Sequence, residues 1–388
     1  MNLETIGANA RQASYRLARL STAEKNALLR KMSGALFADS DKILLANQTD
    51  LANYRGNLQD RLALTRERVE AMANAVLDIA ELADPVGEVM ESFNRPNGLV
   101  IKKVRVPLGV IGIIYEARPN VTVDTAALCL KSGNAIILRG GKEAINSNMA
   151  LVEIMQGVLP EHAVQLITDT GRETANDFMH LHDLDVLIPR GGENLIKAVR
   201  KNATVPIIET GTGNCHIYVE KSADLDMAER IIINAKCSRP SVCNACEKVL
   251  MDREIADVFL PRITKALKDN GVTVLTDNVD WYEEYLDMKI AIKIVENVDE
   301  AIAHINKYSS KHSDSIITGD RKASGIFTTQ IDSAAVYVNA STRFTDGAEF
   351  GFGAELGIST QKLHARGPVG LMELTSYKYV IEGSGQIR

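Results

Sequence analysis

Apolar and polar positions follow two different rhythms along this chain. Over roughly the first 85 residues the apolar positions recur at helical spacing, with Leu28, Leu29, Met32, Leu36 and Phe37 following the capping-box pattern Ser21-Thr22-Ala23-Glu24. Further helices are predicted from about Asp39 and from about Thr65. The rhythm changes at Asp84-Pro85, beyond which short β-rich runs alternate with helical stretches. The run 110–115 precedes a helix predicted from about Val121, and the run 135–138 precedes one predicted from about Ile145. Runs at 164–167, 184–188 and 205–208 continue the alternation. This β-α-β-α order predicts a mostly parallel sheet covered on both faces. A second block of the same kind follows a cysteine cluster, with strands predicted at 248–251, 273–275, 291–295, 315–318 and 335–338 and helices near 254–268, 298–307 and 320–328. The chain closes with a Gly-rich stretch at 350–355 and a last strand near 377–381.

Composition narrows the class. A chain of 388 residues exceeds one compact core, so two or three domains are expected. Hydrophobic residues make up 45% and charged residues 24%, the balance of a soluble globular protein. Net charge is −6, and the densest basic spot, Lys102-Lys103-Val104-Arg105, reads as an exposed strand, so no nucleic-acid partner is expected. The run 106–115 is the longest apolar one; Pro and Gly interrupt it and it is too short to span a bilayer, so no membrane association is expected. The amino-terminal stretch lacks the pattern of a secretory signal. The cysteines, at 129, 215, 237, 243 and 246, are sparse and odd in number, which suits free thiols in a reducing cytoplasm.

Cys237 immediately precedes the stretch S-R-P-S-V-C-N-A-C-E at 238–247, which contains Cys243 and Cys246. A structural zinc site combines two closely spaced ligand pairs, and only one C-x-x-C occurs here, so no metal is expected. A thioredoxin-like redox pair opens a helix early in a small domain, whereas Cys246 opens an apolar strand and reads as a buried small hydrophobe. Cys243 follows Arg239-Pro240-Ser241, which breaks the preceding helix and places the thiol in a turn with a cation nearby. From this segment alone the reading divides between a nucleophile and a buried structural thiol.

Five further segments bear on that choice. They read V-P-L-G-V-I-G-I-I-Y-E-A-R-P-N-V-T-V-D at 106–124, K-S-G-N-A-I-I-L-R-G-G-K-E at 131–143, L-I-P-R-G-G at 187–192, Y-V-N-A-S-T-R-F-T-D at 337–346 and T-Q-K-L-H-A-R-G-P at 360–368. In this order they resemble the aldehyde dehydrogenase superfamily and, more narrowly, its γ-glutamyl phosphate reductase branch, from the first helix to the last strand. A typical member is somewhat longer, with the shortfall here around residues 270–290.

The resemblance implies an α/β aldehyde dehydrogenase-like fold with two parallel-sheet domains and a β-flap that joins subunits. The implied cofactor domain covers 1–232 plus about 346–373, the catalytic domain 233–345, and the flap 95–107 plus 374–388. It implies NADPH-dependent reduction of γ-glutamyl phosphate to glutamate-5-semialdehyde through a thioester on Cys243. The chain would act as a homodimer or larger oligomer, with a possible association with glutamate 5-kinase. Asn120 is the implied oxyanion donor beside the Cys243 backbone N–H, with a helix-capping role as its alternative. Glu209 stands where hydrolytic members carry a base; reduction of an acyl phosphate needs no water, so Glu209 is catalytic or structural.

No G-x-G-x-x-G fingerprint is present; Gly211-Thr-Gly213 is a lone G-x-G, weak by itself, and both glycines are taken as cofactor-binding candidates. Arg190, Gly191 and Gly192 follow a strand and open a helix, a suitable place for phosphate. Arg139 stands at the adenosine-ribose position, and Lys142 where NAD-preferring members carry Glu. A cation there favours a 2′-phosphate, hence NADP; the alternative is a pair of solvated surface cations. Glu284 resembles the carboxylate that holds the nicotinamide ribose. Arg118, Arg239, Arg343 and Arg366 are candidates for the substrate carboxylate and phosphate. Rival readings are a hydrolytic aldehyde dehydrogenase using Glu209, a thiol acyltransferase without redox chemistry, and an inactive partner protein that keeps the fold.

Overall fold

The computed structural model describes residues 2–56 and 59–388. Two compact units emerge: Met1–Thr210 with Phe352–Gly357 and Val369–Arg388, and Gly211–Gly351 with Ile358–Pro368.

The first unit opens with helices α1 (Leu3–Leu17), α2 (Thr22–Ala38), α3 (Ser40–Asn53), α4 (Gln59–Leu62) and α5 (Arg66–Glu81). The capping box is formed: the Ser21 side chain accepts from the Glu24 N–H while Glu24 accepts from the Ser21 N–H. Thr65 likewise caps α5. Then come β1 (Val89–Asn94), β2 (Val100–Pro107), β3 (Val110–Tyr115), α6 (Pro119–Lys131), β4 (Ala135–Arg139), α7 (Ile145–Gln156), β5 (Val164–Leu166), α8 (Arg172–Met179), β6 (Val186–Arg190) and α9 (Glu193–Asn202). Strands pair in the order β5-β4-β3-β6, all parallel. Every residue of β3 is buried, which is why its sequence is continuously apolar rather than alternating. The run 205–208 forms only an isolated bridge, Leu187 with Ile207, because Pro206 has no N–H to extend a ladder.

The second unit contains β7 (Cys215–Val219), α10 (Leu225–Cys237), β8 (Cys246–Asp252), α11 (Arg253–Asp269), β9 (Thr273–Leu275), β10 (Lys289–Val295), α12 (Val298–Tyr308), β11 (Ser313–Ile317), α13 (Arg321–Gln330), β12 (Ala335–Val338), β13 (Ile358–Ser359) and β14 (Gly367–Pro368). Its main sheet, β12-β11-β7-β8-β10-β9, is also parallel. Ile217, Val219, Val249 and Met251 face α10 and α11, while Tyr218 and Leu250 face α12 and α13. The units divide at Thr210/Gly211, upstream of the boundary expected at 232/233. The reason is β7, which lies between β11 and β8 and draws residues 215–219 into the second sheet.

The chain ends in β15 (Thr375–Glu382), which with β1 and β2 makes a three-stranded antiparallel sheet in the order β1-β2-β15. The basic spot lies on β2, where Lys102 pairs with Glu382, Lys103 with Glu91 and Arg105 with Glu88. Among the described residues no helix is long and apolar enough to cross a membrane.

Candidate active site

Helix α10 ends at Cys237, and residues 240–245 turn before β8 begins at Cys246. The turn holds Cys243 half-buried, while Cys246 is fully buried. The Cys243 carbonyl accepts from the Cys215 thiol at 3.2 Å. A Cβ on Gly213 would stand 1.4 Å from the same carbonyl oxygen, so only glycine fits there. The Gly213 N–H donates to Glu284 Oε1 at 2.6 Å. The Gly211 N–H donates to the Ile358 carbonyl at 2.7 Å, and a Cβ there would meet Thr360 at 2.6 Å. Gly211, Gly213 and Glu284 therefore belong to the same unit as Cys243, where the two glycines allow close backbone approach.

Asn244 ties the turn to the 3₁₀ segment Thr342–Phe344. Its amide donates to the carbonyls of Arg343 at 3.2 Å and Thr345 at 3.0 Å, its carbonyl accepts from Thr342 Oγ1 at 2.7 Å, and its Oδ1 accepts from Arg343 Nη1. Burial and then the charge of Arg239 lower the Arg343 guanidinium from its ordinary value, with Asp346 and Cys243 acting in the opposite sense. Arg343 Nε also donates to Ser238 Oγ at 3.1 Å, so its guanidinium bonds to residues on both sides of the segment that holds Arg239 and Cys243. Arg366 is engaged elsewhere: it meets Asp332 at 2.8 Å, a carboxylate also paired with Lys311 and Lys362 and held well below its usual range by these cations.

Behind the turn lies a buried charged cluster. Lys236 on α10 and Glu247 on β8 form an ion pair at 3.2 Å with neither side chain exposed to solvent. Lys248 Nζ donates to the Glu283 carbonyl at 2.8 Å and sits 3.7 Å from the centre of the Tyr285 ring. Burial pushes the Glu247 carboxyl up, opposed by Lys236, and pushes Lys248 down, opposed by Glu247. Asn244, Lys236, Glu247 and the paired role of Cys215 escaped the sequence reading. The available signal was two adjacent charges, Glu247-Lys248, directly ahead of the apolar run Val249-Leu250-Met251.

In the first unit the candidates gather at the carboxyl ends of the strands. Arg139 closes β4, and its Nη2 donates to the carbonyls of Thr170 at 2.7 Å and Gly171 at 2.9 Å, while its Nε is buried without a hydrogen-bond partner. Lys142 is exposed at the start of the 3₁₀ turn that follows. At the head of α9 the Gly192 N–H donates to Glu116 Oε2 at 3.0 Å, and a Cβ on Gly191 would stand 2.7 Å from the Glu116 carboxyl carbon. That helix N-terminus already holds an anion, the Glu116 carboxylate, a residue also unremarked in the sequence. Arg190 closes β6 with Nη1 2.6 Å from where a Gly357 Cβ would stand. Arg118 is the N-cap residue of α6. Asn120, exposed in the first turn of α6, donates to Asp124 Oδ2 at 3.1 Å, and burial pushes Asp124 up to about 6 against that bond. Glu209 pairs with Arg200 at 3.4 Å. Among the described residues no group of three or more His, Cys, Asp or Glu could hold a metal ion.

Residues 1–280 match the aldehyde dehydrogenase family. The chain belongs to that family. Within it, the chain groups with the γ-glutamyl phosphate reductases. It is 58% identical to the γ-glutamyl phosphate reductase of Clostridium perfringens, with all of both chains covered. It is 58% identical to that of Carboxydothermus hydrogenoformans over 99% of this chain and 98% of the relative. The crystal structure of the Thermotoga maritima γ-glutamyl phosphate reductase superposes with a TM-score of 0.98 at 49% identity, covering all of both chains.

Proposed function

We propose that this chain reduces γ-glutamyl phosphate to glutamate-5-semialdehyde with NADPH, releasing phosphate, as the second step of proline biosynthesis from glutamate. The observation that carries this reading is the match over the whole chain to reductases named for that substrate. Cys243 Sγ attacks the acyl carbon, the carbon–oxygen bond to phosphate breaks, and a thioester remains on the sulfur. The Cys243 backbone N–H receives the oxyanion of each tetrahedral adduct, and the resemblance adds the Asn120 amide as second donor. Arg239 and Arg343 receive the phosphate, supported by the bonds of Arg343 to Ser238 and to Asn244, the neighbours of Arg239 and Cys243 in the chain. The resemblance offers Arg118 for the substrate carboxylate, and Arg366 pairs with Asp332.

The residues of the first unit fit a dinucleotide. The orphaned Arg139 Nε offers a donor, and the Glu116 carboxylate at the head of α9 stands in for a diphosphate oxygen. Arg139 and Lys142 would hold the adenosine ribose and its 2′-phosphate, and Arg190, Gly191 and Gly192 the diphosphate. When bound, NADPH supplies the hydride that brings the acyl carbon to the aldehyde level. Collapse of the adduct then breaks the carbon–sulfur bond and returns Cys243 as thiolate. Glu284 steadies the nicotinamide ribose, and Glu209, paired with Arg200, has no water to activate in this direction.

The enzyme works in the cytoplasm as a homodimer or larger, joined through the flap of β1, β2 and β15. Exposed Phe93, Tyr377, Tyr379 and Ile381 on that flap support the assignment. The lability of an acyl phosphate favours association with the glutamate 5-kinase that makes it. The deciding experiment is NADP⁺ reduction by the purified protein with glutamate-5-semialdehyde, with and without phosphate. Phosphate-dependent reduction is expected; reduction without phosphate, yielding glutamate, would replace this reading with the hydrolytic one.

A further inference from the structure

The nucleophile's turn is braced from a distance by the segment 281–286, which has no regular secondary structure of its own. Asn214 Nδ2 donates to the Trp281 carbonyl at 2.7 Å, and Lys248 holds the Glu283 carbonyl. Two consecutive backbone N–H groups then converge on one buried carboxylate: Tyr285 N–H donates to Glu247 Oε2 at 3.2 Å and Leu286 N–H to Glu247 Oε1 at 3.3 Å. Leu286 adopts φ 51°, a left-handed backbone that a branched residue avoids unless held. Between the two anchors stands Glu284, whose carboxylate takes the Gly213 N–H, and Gly213 packs directly on the Cys243 carbonyl.

We infer that Glu247, paired with Lys236, is a positioning residue of the reaction: it clamps residues 285 and 286 so that Glu284 holds Gly213 against Cys243. Four residues after the nucleophile, β8 therefore returns to the nucleophile through the loop it fastens. A carboxylate is needed because only it offers two acceptor oxygens to two adjacent N–H donors. Lys236 supplies the counter-charge that opposes the upward push of burial on this carboxylate. The inference rests on the roles proposed above for Cys243 and Glu284.

The test is the variant Glu247→Gln and, because a lone buried Lys236 endangers folding, the double variant K236M/E247Q. In the double variant Lys236 and Glu247 lose their charges together, Lys248 keeps the Glu283 carbonyl and the Tyr285 ring, and one of the two N–H groups loses its acceptor. Two readouts are taken: the rate at which iodoacetamide alkylates Cys243 in the enzyme without cofactor, followed by mass spectrometry, and kcat with KM for glutamate-5-semialdehyde. The double variant is expected to fold, to alkylate at least about fivefold faster as the turn loosens, and to lose at least about tenfold in kcat with KM changed less than about threefold. Wild-type alkylation and kcat in a folded double variant would overturn the inference. The alkylation comparison needs no turnover, so it stands apart from the reaction assay: a wild-type protein inactive with phosphate would remove the proposed reaction and leave the clamp to be judged by alkylation.

Discussion

The two parallel sheets place their candidate residues at opposite ends. In the first sheet Arg139 closes β4, Arg190 closes β6 and Glu116 follows β3, all at carboxyl ends. In the second, Gly213 precedes β7 and Cys243 precedes β8, both at amino ends. At the carboxyl ends of a parallel sheet the N-termini of the following helices supply free N–H groups, and an anion needs little more. The amino ends lack that supply. The second unit instead holds its turn with a glycine that admits a carbonyl at contact distance, an Asn244 that bonds in both directions, and an ion pair sealed from water. The first end offers an anion site by geometry common to many folds; the second fixes one turn, that of Cys243, by a set of tailored contacts.

The sharpest way to break this contrast is Cys243→Ser. Turnover is expected to fall by roughly three orders of magnitude or more, with thermal unfolding and NADPH fluorescence unchanged. Retained turnover would mean that the turn positions something other than the nucleophile.

Lys142→Glu probes the first unit. The charge reversal is expected to weaken NADPH binding roughly 10- to 100-fold while NADH binding stays within about threefold, read by cofactor fluorescence. An unchanged ratio would show that the exposed cation at the end of β4 does not meet a 2′-phosphate.

The smallest effect concerns the polar interior of the second unit. His304 packs against Trp281 at 4.9 Å and Tyr308 at 4.6 Å between ring centres. Burial, and next the charge of Lys293, lower His304 to about 4. The unfolded chain takes up a proton near pH 6.5 that the folded imidazole refuses until about pH 4, so acidification through this window costs stability. His304→Phe is expected to reduce the loss between pH 7.5 and pH 5 by about 1–2 kcal/mol in urea unfolding, after allowance for partial solvent access. Equal losses in both proteins would place the titration elsewhere.

Much of the architecture was legible because local rules and the fold agree. The capping box at Ser21 formed as read, and the strands at 110–115, 273–275 and 335–338 appear with those same limits. Strand β7 was overlooked because Cys215-His216-Ile217-Tyr218-Val219 mixes polar and apolar residues, and the Cys215 thiol and Tyr218 hydroxyl are satisfied by distant partners, the Cys243 carbonyl and Asp252. The cysteine turn was legible as a helix break followed by a strand, and the resemblance then singled out Cys243. Gly211 and Gly213 were read toward the dinucleotide because a G-x-G pattern carries no record of what approaches it. The structure sets Cys243 itself against the second of them.

By itself the sequence determined the two βα blocks, the family and the residue types available for chemistry. These depend on periodicity, capping and short motifs, which act over a few residues. Only the tertiary structure decided that Arg366 belongs to Asp332, that Glu116 caps α9, and that Glu247 reaches residues 285 and 286. Each of these joins groups more than 30 positions apart in the chain. A buried charge takes whichever partner the packing of strands brings within hydrogen-bond reach, and local patterning holds no trace of that choice.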